Sequence, residues 1–348
     1  NYFAIVNIRG RLIGPNHKPL IIAEIGINHG GNLEVAKNMA LEAAKSGAEC
    51  IKHQTHFVED EMTEDAKKIY PPNANISIWD VIEQNSLTKD EEESLKNYVE
   101  DLGMIYLSTP FSRAAANFLN EIDVPAFKIG SGECNNLPLI RHIAKFNKPI
   151  ILSTGMQTID KIKLAVEILD MHNIEYALLE CTNIYPSPAE YVSLKGINDL
   201  KEFFPNAIIG FSDHSIGPYM ALAAVGLGAS IIERHYTDSR YRQGPDISCS
   251  MDPTELKLLI KMSEEIYIAT RNPKKRSEPE KSVYKFARGS IVADKDLPKG
   301  TIINEEDIWA RRPGNGEIPA YKFDEIIGLR TKNKLKHNQQ LKWEDLEK

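Results

Sequence analysis

The chain has 348 residues, 42% of them apolar, with 42 Lys and Arg against 49 Asp and Glu for a formal charge of −7. That balance excludes a wholly disordered chain and a broad nucleic-acid footprint, and the length is that of one large and one small domain. Gly at 21 and Pro at 19 are near average, which excludes collagen-like and low-complexity chains.

The four cysteines, Cys50, Cys134, Cys181 and Cys249, lie far apart and form no C-x-x-C pair. They read neither as a disulfide framework nor as a zinc ribbon. No basic segment followed by an apolar one opens the sequence, as a secretory signal would. The most apolar stretch, 220–232, is broken by Gly226 and Gly228 and is too short to span a bilayer. The expectation is a cytoplasmic protein with no membrane contact and no nucleic-acid partner.

In chain order, Arg9–Gly10–Arg11 offers a turn, so the first 20 residues predict a hairpin. Eight short β-branched runs follow, at 21–28, 48–55, 103–110, 126–131, 149–155, 176–182, 207–214 and 229–237. Each is mostly apolar and ends in polar residues, and helix-like stretches such as 32–46, 159–172 and 253–268 separate them. The one wide interval, after the second run, holds a long loop over 56–79 and a helix over 89–101. Thr88 or Asp90 ahead of Glu91–Glu93, and Asp252–Pro253, read as helix starts. Strands apolar on both faces imply a parallel sheet covered by helices. Eight strand–helix units over about 245 residues match a (β/α)8 TIM barrel in count and size. A doubly wound sheet is the alternative, but no G-x-G-x-x-G follows the first run.

At 271–285 the composition turns charged and Pro-bearing, which predicts a linker between a domain over 1–270 and a small one over 286–348. The last segment is too short for a large core of its own. Its Pro298–Lys299–Gly300 and Pro313–Gly314–Asn315–Gly316 predict tight turns between short strands.

Barrel chemistry sits at the C-terminal ends of the strands. Here those ends carry Glu24 and Asn28, Lys52 and Gln54, Ser108 and Thr109, Lys128 and Ser131, and Ser153. The later strands add Thr182 and Asn183, Ser212 and His214, and Glu233 and His235. Helix caps account for one or two such residues but not for a full ring, so the ring predicts a polar pocket.

Two lysines within apolar strands, Lys52 and Lys128, cannot be buried unpaired. Facing inward they predict a cationic pocket for a small anion, with the hydroxyls of Ser131, Ser153 and Ser212 as donors to a phosphate. Snorkelling, or pairing with Glu24 or Glu233, is the structural alternative. His214 and His235 end adjacent strands, about 4.8 Å apart in a parallel ladder, so their imidazoles can converge on one cation, with a purely structural role for each as the alternative. Two imidazoles with carboxylate or water oxygens suit Mn²⁺, Mg²⁺ or a related divalent ion better than a closed zinc site. Glu133, just past the fourth strand, reads either as a proton-transfer group in a desolvated cleft or as a solvated surface charge.

Taken together, these segments resemble a known family. AEIGINH at 23–29, IKHQT at 51–55, STPF at 108–111 and KIGSGE at 128–133 are similar to the sialic acid synthases. So are LSTGM at 152–156, CTNIYP at 181–186, GFSDH at 210–214 and ERH at 233–235. RPGNG at 312–316 resembles the signature of their small C-terminal antifreeze-like (SAF) domain, a mostly-β β-clip fold. The likeness runs in order over nearly the whole chain and is nearest to the bacterial N-acetylneuraminate synthases.

The resemblance implies a TIM barrel followed by that SAF domain. It also implies a transferase condensing phosphoenolpyruvate (PEP) with open-chain N-acetylmannosamine and water to N-acetylneuraminate and phosphate, by C–O cleavage. A divalent metal, Mn²⁺ foremost with Mg²⁺ or Co²⁺ as substitutes, is then held by His214 and His235 as a Lewis acid for the sugar aldehyde. PEP contacts fall to Lys52, Thr109, Lys128, Ser131, Ser153, Asn183 and Ser212. Sugar contacts fall to Glu24, Gln54, Asn73, Tyr185 and Asp246. Glu133 stabilises positive charge at C2 and assists the attacking water, and Arg312 from a partner chain's tail completes the site in a domain-swapped homodimer. Related synthases use 6-deoxy diacetamido sugars to make legionaminic or pseudaminic acid, but 183–186 is closer to the N-acetylneuraminate branch. Two other classes compete. One is a pyruvate aldolase with a Schiff base on Lys52 or Lys128, the other a tail that binds ice or polysaccharide on an inert barrel.

Overall fold

Positive φ at Arg9 (46°) and Gly10 (86°) suits the two-residue turn that right-twisted antiparallel strands favour. In the computed structural model, which describes residues 4–72 and 74–348, that turn joins β1 (Val6–Ile8) to β2 (Arg11–Ile13). Val6, Ile8 and Ile13 are buried and pack into the apolar floor of the barrel, so the hairpin plugs its N-terminal end.

Eight parallel strands follow: β3 (Leu20–Gly26), β4 (Cys50–Thr55), β5 (Ile105–Pro110), β6 (Phe127–Ile129), β7 (Ile150–Ser153), β8 (Tyr176–Cys181), β9 (Ile208–Asp213) and β10 (Ile231–His235). Pairing of β10 with β3 curls the sheet round, and the ladder is continuous from β5 to β6. Those two then lie side by side, so the barrel is nearly closed. Helices cover the outside. Asn32 caps Leu33–Lys45, Thr88 rather than Asp90 closes a capping box with Glu91 on Lys89–Asp101, and Asp252 with Pro253 opens Pro253–Thr270. The wide interval after β4 is not one loop: it holds short helical turns at Val58–Glu61, Glu64–Lys68 and Ile78–Gln84.

Strand side chains alternate between two cores. Ile21, Ala23, Ile25, Ile51, Tyr106, Ile129, Leu152, Ile209 and Ile232 face the helices. Leu20, Ile22, Cys50, Leu107, Ala126, Ile151, Ala177, Leu179, Ile208 and Ile231 fill the lower barrel with the hairpin. Gly210 belongs to this inner face. A Cβ there would lie 2.5 Å from Leu179 Cδ2 and 2.6 Å from the Ile231 carbonyl oxygen, so only glycine lets the layer close.

The chain divides at Arg271. In the unit from Asn272, β11 (Ser290–Ala293) pairs antiparallel with β12 (Ile308–Arg311), and β13 (Arg330–Thr331) pairs with β14 (Leu346–Glu347). Ile291, Leu297, Ile303, Ile308, Ile318, Ile326, Leu335, Leu341 and Leu346 form its own small core. The segment expected as a linker belongs to this unit and carries the start of a helix, Glu280–Ala287, none of whose residues is buried. Among the described residues, no helix is long and apolar enough to cross a membrane. The four cysteines are buried and free.

Candidate active site

The inner face that is apolar at the floor turns polar one residue pair higher. Period-2 alternation carries Ile22 to Glu24, Cys50 to Lys52 and Gln54, Leu107 to Thr109, and Ala126 to Lys128. It likewise carries Ile151 to Ser153, Gly210 to Ser212, and Ile231 to Glu233 and His235. All these upper residues line one open-mouthed cavity of about 130 Å³, joined by Phe111, Gly130, Ser131, Gly132, Cys181, Asn183, Tyr185 and His214.

At its centre Lys52 Nζ lies 2.9 Å from Glu24 Oε2 and 3.8 Å from Glu233 Oε2, and donates to Thr109 Oγ1 at 2.8 Å. Lys128 Nζ lies 3.7 Å from Glu233 Oε1 and, among the described residues, otherwise donates only to the Ile129 carbonyl at 3.3 Å. Burial disfavours the charge on Lys52, but Glu233 and Glu24 outweigh it and hold that pKa above its usual value. On Lys128 burial wins over Glu233, and the pKa falls. Burial likewise lifts Glu24 against the pull of Lys52. Glu233 goes the other way: despite burial, Lys128 and Lys52 pull it down, helped by the Ser212 hydroxyl that donates to it at 2.9 Å.

The expected cationic pocket is therefore corrected. Two lysines share it with two carboxylates and the centre sums to zero, because a buried ammonium needs a counter-charge before any ligand arrives. Inward placement and pairing, read from the sequence as alternatives, occur together. Lys128 is the cation least engaged. Beside it, Ser153 Oγ is buried with no hydrogen-bond partner among the described residues, a group that calls for a ligand.

Gly155 makes the neighbouring wall possible. Its N–H donates to Ser131 Oγ at 2.9 Å, and a Cβ there would fall 2.0 Å from Asn183 Oδ1. Ser131 and Asn183 thus converge only over a glycine.

His214 and His235 face each other across the mouth with ring centroids 5.3 Å apart, and the Tyr185 ring sits 4.1 Å from His214. His214 Nδ1–H donates to the Thr182 carbonyl at 2.8 Å, which fixes the tautomer and leaves Nε2 bare. Burial first, and then the other histidine, lowers His214 to about 4; burial and then Lys52 lower His235 to about 4. Both rings are thus neutral at pH 7, the form that ligates a metal. His235 Nδ1 is buried with no hydrogen-bond partner among the described residues, 3.8 Å from Asp246 Oδ2. No group of three metal-ligating side chains occurs among the described residues. The donors present, two neutral imidazoles beside carboxylates, fit a divalent ion whose remaining positions go to water or substrate oxygens.

Other residues read from the sequence fall elsewhere. Glu133 does not line this cavity but an adjoining cleft with Asp60, Glu61, Arg113 and Arg141, which shares Phe111 with it. There it accepts from Asn136 Nδ2 at 2.6 Å, and burial raises its pKa. Asp246 stands behind His235 rather than on the cavity wall. Asn28 braces the barrel top, donating to the Tyr236 carbonyl and Ser250 Oγ, both at 2.9 Å. Arg312 is an exposed residue of the second unit, directly after β12. Asn73 lies outside the described residues. Glu233, which the sequence offers as a polar strand end and a counter-charge for the lysines but which the resemblance gives no role, lines the cavity on the same inner face as His235 two positions on.

Comparison with known proteins meets this geometry. The NeuB family profile matches residues 39–275 and the SAF domain profile residues 288–347. The N,N'-diacetyllegionaminic acid synthase of Campylobacter jejuni is 38% identical over 91% of this chain and 97% of its own length. The human N-acetylneuraminate-9-phosphate synthase is 34% identical over 92% and 89%. A crystal structure of the N-acetylneuraminic acid (sialic acid) synthetase of Leptospira borgpetersenii, in complex with citrate, superposes with a TM-score of 0.74. It is 31% identical and covers 81% of this chain and 96% of that one. The chain belongs to the NeuB family of sialic acid synthases and carries a C-terminal SAF domain.

Proposed function

We propose that the protein condenses PEP with open-chain N-acetylmannosamine and water, releasing N-acetylneuraminate and phosphate. The observation that carries this reading is one cavity holding an under-engaged Lys128, an orphan Ser153 hydroxyl and two neutral imidazoles. An anion and a polarised carbonyl are the two things those groups recognise.

Lys52, Lys128, Thr109, Ser131, Ser153, Asn183 and Ser212 hold the enolpyruvyl phosphate, with lysines against its charge and hydroxyls and amide against its oxygens. Glu24, Gln54 and Tyr185 on the cavity wall orient the sugar so that its aldehyde carbon meets C3 of the enol. The resemblance adds Asn73, outside the described residues, and Asp246, which reaches the site from behind His235. Bound between His214 and His235, a divalent ion such as Mn²⁺ supplies Lewis-acid polarisation of that aldehyde. The new C–C bond leaves positive charge at C2. Glu233 supplies negative charge from the cavity wall, and Glu133, which lines the adjoining cleft sharing Phe111, is assigned by the family resemblance to take the proton of the water that adds at C2. As the C2–O bond breaks, the C2 hydroxyl gives its proton to the departing phosphate and becomes the ketone. The phosphate is held by Lys128 and Ser153, and the proton first taken from water ends on the former aldehyde oxygen. Arg312 of a partner chain, in a domain-swapped homodimer, closes the sugar side.

The relatives named above are synthases of N,N'-diacetyllegionaminic acid and of N-acetylneuraminate 9-phosphate, which supports two variants of the acceptor, a diacetamido sugar and a phosphorylated one. Phosphate release from PEP, measured against a panel of these sugars with Mn²⁺, decides among them. N-acetylmannosamine is expected to give the highest kcat/KM, and no release with any mannose-type sugar contradicts the reading. The lowered pKa of Lys128 also suits an aldolase Schiff base, for which borohydride with pyruvate would trap an adduct. None is expected.

A further inference from the structure

A chain of hydrogen bonds leaves the cavity through Gln54. Its Nε2 donates to Glu24 Oε1 at 2.9 Å, its Oε1 lies 3.0 Å from His56 Nε2, and His56 Nδ1 lies 2.8 Å from Glu61 Oε2. His56 is only 6% exposed and stacks on Phe111 with ring centroids 4.3 Å apart. It does not line the cavity, whereas Gln54 does.

A carboxylate and an amide carbonyl only accept hydrogen bonds. His56 faces one of each, so each ring nitrogen sits where an N–H is called for, and the ring cannot turn without losing a bond at one end. An amide has two ends of nearly the same shape, and its partners alone decide which way it faces. For Gln54 the choice is made twice: Glu24 requires the N–H end and His56 requires the carbonyl. Were the His56 donor removed, only Glu24 would hold the amide, and its half-buried carbonyl would lose that partner, a loss that turning or tilting relieves.

We propose that His56, braced by Glu61, is a positioning residue that locks the Gln54 amide with its NH2 toward Glu24 and the cavity, so that the site offers the acceptor sugar a hydrogen-bond donor at this point. One N–H goes to Glu24 and the second is free for a substrate oxygen. The identity of that substrate, an N-acylated sugar, rests on the proposed synthase reading. The brace comes from the short helix Val58–Glu61, so the turn after β4 sets the polarity of a residue on β4 itself.

His56→Phe keeps a ring against Phe111 and removes the donor, and Glu61→Gln removes the charge without changing shape. Each is expected to raise KM for the sugar, by about tenfold for His56→Phe, with KM for PEP changed less than about twofold. In a Gln54→Ala background, His56→Phe is expected to add almost nothing. Equal rises in both KM values, or a full additive effect on top of Gln54→Ala, overturns the positioning role. Neutron diffraction from wild-type crystals judges it independently of turnover. Deuterium on both His56 ring nitrogens, with the Gln54 ND2 toward Glu24, supports it; a bare His56 nitrogen or a turned amide overturns it. Wild-type enzyme that releases no phosphate contradicts the synthase reading and leaves the diffraction result to decide this one.

Discussion

Inside the barrel, Glu24 and Glu233 make Lys52 and Lys128 tolerable, and that pairing also shapes the ligand chemistry. Under the proposed function, an arriving anion meets a neutral cluster and competes for Lys128, the less engaged ammonium, before Lys52. Both lysines are legible in the sequence because a cation in an apolar strand is conspicuous. Glu233 is legible as one candidate counter-charge, but its service to both lysines at once is not, because three-strand proximity leaves no trace in spacing. Outside the barrel wall a second polar chain runs from His29 to Glu92. His29 Nδ1 accepts from the Gly31 N–H at 3.0 Å, His29 Nε2 lies 3.0 Å from His53 Nε2, and His53 Nδ1 lies 3.1 Å from Glu92 Oε1. Accepting at Nδ1 requires a neutral His29, and burial, then His53 and His56, lower it from 6.5 to about 3. The unfolded chain therefore takes up a proton that the folded one refuses. Stability is complete above pH 6.5 and lost progressively as pH falls toward 3, on the order of 2 kcal/mol at pH 5 from this residue. Urea midpoints at pH 7 and pH 5 are expected to differ less for His29→Asn than for the wild type. An unchanged difference contradicts the assignment.

At the scale of elements, all eight barrel strands were legible because each buries both faces and so reads as an apolar run with a polar end. Their ends were less legible. The run at 126–131 forms a strand only over Phe127–Ile129 and then turns into a short helical turn, Ser131–Glu133, which aims Ser131 into the cavity and carries Glu133 out of it. Polar strand ends leave the ladder to make the site, so the residues most useful for chemistry are the least regular. The glycines were not legible as packing devices either. Gly210 supports two neighbouring strands at once, and the Ile231 carbonyl 2.6 Å from its would-be Cβ is backbone that cannot swing away. Gly210→Ala is expected to lower unfolding free energy by about 1–3 kcal/mol with the circular dichroism of the fold retained. An unchanged urea midpoint contradicts the close approach.

For the whole molecule, the sequence separated a large unit from a small one, and the structure divides at Arg271. The charged segment that reads as a linker instead contributes to an exposed helix, Glu280–Ala287, whose amphipathic pattern is too short to stand out against its charge. The second unit has only a small apolar core of its own, and it carries Arg312 on an exposed stretch after β12. The proposed action of Arg312 on a partner's site has a clear signature. His235→Ala and Arg312→Ala chains, each nearly inactive, are expected to recover up to about a quarter of wild-type turnover after subunit exchange, because one site in four arrangements is intact. No recovery after exchange verified by mass spectrometry contradicts action in trans.

The most direct measurement is the fate of oxygen during turnover in H2¹⁸O. If water adds at C2 while the barrel holds the phosphate, the label enters the nine-carbon product once and the released inorganic phosphate carries none. Label in the phosphate would mean that water attacks phosphorus, and the chemistry assigned to this cavity would be wrong.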